Sequence, residues 1–366
     1  VKRQAAGGRS RLLRVAAVAG LALTASVAAH AQGYRDPGMM LPLQDRAGNG
    51  AAAAVVERIL IEEMSLRGTL ARPTGLRDVL RRYRIRDLNG APPARLDLLA
   101  EELGVSWFFS AKLFEVQGAP MPVVTLSAQV RRKGNPDLEW AGFVSMTGLD
   151  TRRALGRNQI YDLETLARRA VRQLVSRLAM KGDWTGSGQT PPPSEEAFVY
   201  RPLSLEEIGR VAVIPFESLT EIKPEESGEL VTELAMAVLH GRGVRVAAPG
   251  TVDAAQRRQG VLLRGRVSAE LRSALDRENG IDMILTGTVE ELGLRRGGLE
   301  PEPEIAFGAR LIGSTRGRIY FIDGGYRSGW DEQKVLGGGR IYAAGALGEQ
   351  MMQSMVASFL PPEEDR

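Results

Sequence analysis

Two stretches of this chain, 176 residues apart, give the same local instruction. Leu98–Leu113 and Leu275–Val289 each run an amphipathic helix end into a glycine, Gly104 or Gly280, and then into an apolar strand. Other matches keep nearly the same spacing. Pro42-Leu43 aligns with Pro215-Phe216 at 173, Pro73 with Pro249 at 176, and Ala128 with Ala309 and Leu166 with Leu347 at 181. The drift is small and one-directional, as insertions in loops would produce. A repeated helix–glycine–strand unit of this length predicts two tandem related modules, each a mixed sheet flanked by helices.

Length and composition fit that reading. The chain has 366 residues, 43% apolar and 25% charged, which suits two globular modules with filled cores. Residues 1–31 carry five bases and no acid, then an apolar run from Val15 to Ala28 and the sequence Ala29-His30-Ala31. That is the plan of a cleaved signal peptide. The run is too short to span a bilayer, which needs roughly 20 apolar residues. Export to a bacterial periplasm is expected, with the mature chain starting near Gln32 and no transmembrane segment. No cysteine occurs, so neither a lipid anchor nor a disulfide is expected.

Residues 183–202, with Gly186, Gly188 and Pro191-Pro192-Pro193, lack any apolar period and predict a linker. It separates a first module at 39–182 from a second at 203–361. In the second, Arg210–Phe216 reads as a buried strand, 224–240 as a helix and Val244–Ala248 as a short strand. Helices near 251–258 and 268–278 precede strands at 281–290, 304–312 and 318–326, and a closing helix follows at 343–359. The first module repeats this order less clearly. Its helices fall at 51–67, 75–82, 94–103 and 163–178, and its strands at 39–43, 105–116, 123–131 and 138–146.

This order, with Val211–Thr220, Gly280–Val289 and Arg310–Tyr320 as the matching stretches, resembles the periplasmic α/β superfamily of CsgG, LpoB and the amino-terminal domain of TolB. Leu138-Glu139-Trp140-Ala141 stands in the place of the last stretch in the first module. The resemblance implies an α/β (α+β) sandwich that grips other envelope proteins without chemistry. Its motifs are apolar and glycine patterns, so they speak to fold more than to activity.

The inventory of reactive residues agrees. His240 is the one histidine beyond the leader and reads as a cap at a helix C-terminus. Without cysteine, imidazole or thiolate metal sites are not expected, and no catalytic cluster emerges. Glu225, Glu226 and Glu229 read as a solvated helix start, Glu62-Glu63 as a helix face, and Glu300, Glu302 and Glu304 as a loop. The glycine-dense 324–330 and 337–340 allow three readings: a partner contact, an anion cradle or a plain loop. Trp107, Trp140 and Trp184 could stack on sugars, although Trp107 and Trp140 fit a core better. Residues 39–185 hold 22 bases against 16 acids, a net of +6, and residues 186–366 hold 20 against 27, a net of −7. Opposite signs suit mutual docking or an acidic partner, and Arg67–Arg95 suits a solvated basic helix face.

The expectation is therefore a non-enzymatic envelope adaptor or accessory protein, with no cofactor and no nucleic-acid partner. Its partners would be envelope proteins or a second copy of itself. Tyr326, Arg327, Trp330 and Arg340 are the expected contact surface, with Arg77, Arg81, Arg82 and Arg84 second. The alternative is a periplasmic protein that binds a small molecule or glycan in a cleft between modules.

Overall fold

The computed structural model describes residues 36–66, 70–71, 76–85, 90–150, 159–179, 191–194, 196–221, 224–260, 265–295, 302–331 and 340–361. The leader, Trp184, Glu300 and the glycines at 337–339 lie outside the described residues. The first half contains β1 (Gly38–Met40), β2 (Gln44–Asp45), α1 (Gly50–Ser65), β3 (Leu70–Ala71), α2 (Leu76–Arg82) and α3 (Pro93–Leu103). It continues through β4 (Trp107–Gln117), β5 (Val123–Arg132), β6 (Trp140–Thr147) and α4 (Leu163–Ala179). The second half opens with β7 (Phe198–Val199), α5 (Leu205–Ile208), β8 (Arg210–Val213), β9 (Glu217–Ser218), α6 (Pro224–Gly241) and β10 (Arg245–Val246). Then come α7 (Pro249–Arg258), α8 (Ala269–Asn279), β11 (Met283–Arg295), β12 (Glu302–Gly313), β13 (Ile319–Ser328) and α9 (Ala344–Phe359). The protein is a mixed α/β fold with two mixed sheets flanked by helices. Phe198–Val199, inside the stretch read as linker, pairs with β13 and edges the second sheet.

Helix boundaries follow local chemistry. The side chains of Asn49 and Ser268 accept from the first-turn amides of Ala52 and Leu271 and so start α1 and α8. Helices α3 and α8 stop at Gly104 (φ 64°) and Gly280 (φ 60°), both left-handed, where a side chain would be strained.

The sheets have the same order. One runs β3-β1-β4-β5-β6 with β2 beside β4, the other β10-β8-β11-β12-β13-β7 with β9 beside β11. Their registers correspond residue by residue. Gly38 lies opposite Trp107 and Val211 opposite Met283, partners 173 and 176 residues apart between the halves. Ala111 faces Ala128, and Gly287 faces Ala309, at 176 and 181. Ala128 also faces Gly142, and Ala309 faces Asp323, both at 181. Each long central strand carries a bulge at the same point, Leu113/Glu115 in β4 and Val289/Glu291 in β11.

Packing stacks these pieces in layers. Helices α1 and α4 cover one face of the first sheet through Val56, Ile59, Leu60, Leu166, Leu174, Trp107, Phe109 and Leu126. The start of its other face carries Phe108 against α2 and α3. The rest of that face lies against α6 and α9 of the second half, with Phe114, Ala141 and Phe143 in one core with Leu234, Met236, Met352 and Phe359. Helices α6 and α9 also pack on the second sheet through Leu285, Ile305, Phe307 and Phe321. The result is helix, sheet, helix, sheet. Beyond it, α7 and α8 cover only the start of the outer face, at Ala212, Ile214 and Ile284.

Candidate functional site

Alternation along β4 and β5 points Ser110, Lys112, Thr125, Ser127 and Gln129 away from α1 and α4. A polar face of this kind normally meets water. Here all five are buried, at 5% exposure or less, because the face is covered by α6 and, at Thr125, by α9. Lys112, Ser127 and Gln129 find partners on α6, where Glu229 and Glu233 sit one turn apart on one side of the helix, while the Thr125 hydroxyl bonds Glu115 and Ser145 within its own sheet. The Lys112 ammonium donates to Glu233 at 2.5 Å and to Glu229 at 2.6 Å. Gln129 Nε2 donates to the second Glu233 oxygen at 2.6 Å, and the Ser127 hydroxyl reaches it at 3.3 Å. Arg46 closes the set on Glu229 at 3.0 Å. Burial pulls the Lys112 ammonium down, but Glu233 and Glu229 outweigh it and hold its pKa above the ordinary lysine value. Glu229, expected as part of a solvated helix start, instead joins the two halves.

Two further contacts tie the halves together. Asp137 bridges Ala247 as a β-pair, the Leu138 amide donates to Val246 at 2.9 Å, and Arg210 pairs with Asp137. Arg177 on α4 lies 4.0 Å from Glu349 on α9. Burial pushes the Glu349 carboxyl up to about 7, against the pull of Arg177. At the N-terminus of α9 the backbone comes so close to the first sheet that a Cβ on Gly345 would sit 2.7 Å from the Ser145 hydroxyl.

Beside the Lys112 cluster lies a cleft of about 440 Å³ between the halves, lined by Arg46, Lys112, Glu226, Glu229, Asp253 and Arg257 among others. Its size suits a small ligand. No aromatic ring is among its lining residues. Trp107 and Trp140 are core residues, 1% and 6% exposed, and offer no sugar platform.

The residues expected to form one contact surface are split by the strand period. Tyr326, 50% exposed, projects from the outer face of β13, where its hydroxyl donates to Glu304 at 2.7 Å. That hydrogen bond, with partial burial, pushes the phenol up to about 12. Glu304, expected where a loop meets a strand, is a buried residue of β12. Arg327 points the other way, into a recess with Asp331, Ile341, Leu347 and Gln350. Trp330 and Arg340 do meet, the guanidinium 4.8 Å from the indole centroid. The arginines of the second set lie on the first half. Arg77 is in α2, whereas Arg81, Arg82 and Arg84 are exposed at its end, Arg82 pairing with Glu102 at 2.7 Å. The sequence did signal the missed cluster, through a lone lysine inside an apolar strand and two glutamates four residues apart.

Among the described residues no helix is long and apolar enough to cross a membrane, and no group of acids and histidines is placed to hold a metal. The chain matches no protein-family model and no curated protein. Several solved structures are similar to part of it. PelC of Paraburkholderia phytofirmans, solved as a dodecamer, is 17% identical over 46% of this chain and 97% of its own, with a TM-score of 0.31. The hypothetical protein CT253 of Chlamydia trachomatis is 11% identical over 40% of this chain and 96% of its own, with a TM-score of 0.29. The LpoB C-terminal domain of Salmonella enterica is 13% identical over 42% of this chain and 93% of its own, with a TM-score of 0.24.

Proposed function

We propose that this is a non-catalytic accessory protein of the bacterial envelope, built from two tandem copies of one CsgG/LpoB/TolB-like α/β module. The reading includes export by a cleaved leader, without lipidation. The observation that carries it is the matched register of the two sheets together with the use made of the buried charges. Lys112 pairs with both Glu229 and Glu233, and Gln129 donates to Glu233, so this cluster fastens one module to the other. The fastened body presents the β12–β13 end of the second sheet, with Tyr326, Trp330 and Arg340, as its contact surface. Arg81, Arg82 and Arg84 form a second, basic contact on the first module.

A photo-reactive amino acid at position 326 or 330, activated in envelope preparations, tests this. Specific protein adducts from these positions, absent from a control at exposed Arg258, are expected. Equal labelling at the control, or none at either position, would contradict the surface. The cleft favours a second reading, binding of a small polar ligand between the modules. Its charged, ring-free lining suits a charged compound rather than a glycan. A thermal-shift rise with such a compound, lost in Arg257→Ala, would support it.

A further inference from the structure

The register offsets assign every residue of the first sheet's far face a counterpart in the second sheet. Ser110 and Lys112 correspond to Thr286 and Thr288, and Ser127 and Gln129 to Gly308 and Arg310. Ala141, Phe143 and Ser145 correspond to Ile322, Gly324 and Tyr326. In the first sheet Ala141 and Phe143 are 4% and 0% exposed, covered by α6 and α9. In the second sheet Ile322 and Tyr326 are 43% and 50% exposed, and Gly324 is exposed too. Among the described residues no helix packs on this part of the face. The same surface is thus filled once inside the chain, by a helix pair, and left open once.

The helix pair at the opposite end of the stack is α1 and α4. It corresponds to α6 and α9, since Val56, Ile59 and Leu60 take the inward places of Val231, Leu234 and Ala235, and Leu166 and Val175 those of Leu347 and Val356. Its outer side differs in sign. Arg58 and Arg168 stand where α6 and α9 carry Glu233 and Glu349, and beside them the Arg172 side chain, paired with Glu63 at 2.7 Å, is 62% exposed. Arg58 and Arg168 are held by Glu62 and Glu164 at 3.0 to 3.4 Å. The rim of the open face carries Glu290 and Glu291, exposed on β11, and Glu304 beneath Tyr326, with Arg295 paired to Glu304 at 3.3 Å and Arg310 on the face itself. Inside the chain Glu229 and Glu233 of the helix meet Lys112 of the sheet; between chains Arg168 and Arg172 of the helix pair would meet Glu290 and Glu291 at the rim of the open face. The totals agree, at +6 for residues 39–185 and −7 for residues 186–366.

We infer that the open face of the second sheet receives the α1/α4 helix pair of a second copy of this chain, continuing the internal stack head to tail. This rests on the proposed contact surface and names its first occupant. Such an interface is heterologous, so it builds rings or open chains rather than an isolated two-fold dimer. Charge pairing at its rim makes it weaken as salt screens it.

Two variants of the purified protein test the geometry. Ile322→Arg with Tyr326→Arg blocks the open face and leaves the helix pair. Arg168→Glu with Arg172→Glu blocks the helix pair and leaves the open face. All substituted positions are at least partly exposed, and circular dichroism checks folding. By light scattering on a sizing column, wild type is expected to shift to higher mass with concentration and back with added salt. Each variant alone is expected to stay monomeric, and their equimolar mixture to give a one-to-one dimer that grows no further. A monomeric wild type at every concentration overturns the inference, and so does self-association that survives in either variant or a mixture that gives no dimer. A monomeric wild type that still forms specific envelope adducts at 326 or 330 leaves the accessory reading standing with another partner. Monomer and no adducts removes both.

Discussion

The two sheets pair their strands alike, yet one buries a polar face and the other exposes it. Ser110, Lys112, Thr125, Ser127 and Gln129 are enclosed beneath the helices α6 and α9, whereas Thr288, Gly308, Ile322 and Tyr326 on the matching face are partly or largely exposed. Backbone pattern therefore does not decide environment. A face follows whatever is laid on it, and a polar face can be covered only if the covering element brings matching groups. Helix α6 does so with Glu229 and Glu233. The lesson is that the first sheet depends on the second half for its folded environment, while the second sheet can stand as an end.

The comparison breaks most sharply at Lys112. Lys112→Met leaves Glu233 buried without its cation, while Glu229 keeps Arg46, and an uncompensated buried charge costs about 3–5 kcal/mol. Urea denaturation should show that loss, and Lys112→Met with Glu233→Met should recover part of it. The matching change on the exposed face, Thr288→Met, should have little effect.

Glu349 is next. Its folded pKa, about 7, lies above the ordinary 4.5, so the folded protein binds the proton more tightly. Its contribution is complete below about pH 4.5 and is lost as pH rises through about 7. A shift of that size corresponds to about 3 kcal/mol. Glu349→Gln should flatten the stability profile between those limits and be the more stable protein at pH 8, read by thermal melts across the range.

Smaller effects sharpen the equivalence. Gly104→Ala and Gly280→Ala each place a side chain at positive φ and should cost about 1 kcal/mol or somewhat more. Similar losses in the two variants would fit the matched caps. Tyr326→Ala should change stability least, by no more than about 0.5 kcal/mol, because half the residue already faces solvent. Its loss should appear in association instead.

Much of the fold was legible in the chain. The periods place α6, α9 and the long strands within a few residues, and the helix-stopping glycines behave as their chemistry demands. The offsets of the spacing matches, 173, 176 and 181, recur in the hydrogen-bonded registers, because insertions accumulate in loops while pairing preserves spacing within strands. The two-residue strands β2, β3, β7 and β9 were not legible, since two residues carry no period. The site was harder. Strand alternation sends Tyr326 and Arg327 to opposite faces, which a composition-rich stretch such as 324–330 does not reveal. The Lys112 cluster escaped because its partners lie more than 100 residues away in another element, and alternating polarity in β5 reads as exposure to water.

Amide exchange measured across rising sub-denaturing urea tests the coupling of the halves most directly. If the Lys112–Glu229–Glu233 contact makes one folding unit, the slowest amides of β5 and β12 converge on a single opening free energy and merge into the same global transition. If β5 opens at a separate, lower free energy while β12 remains protected, the halves fold independently and the account of a fastened body is wrong.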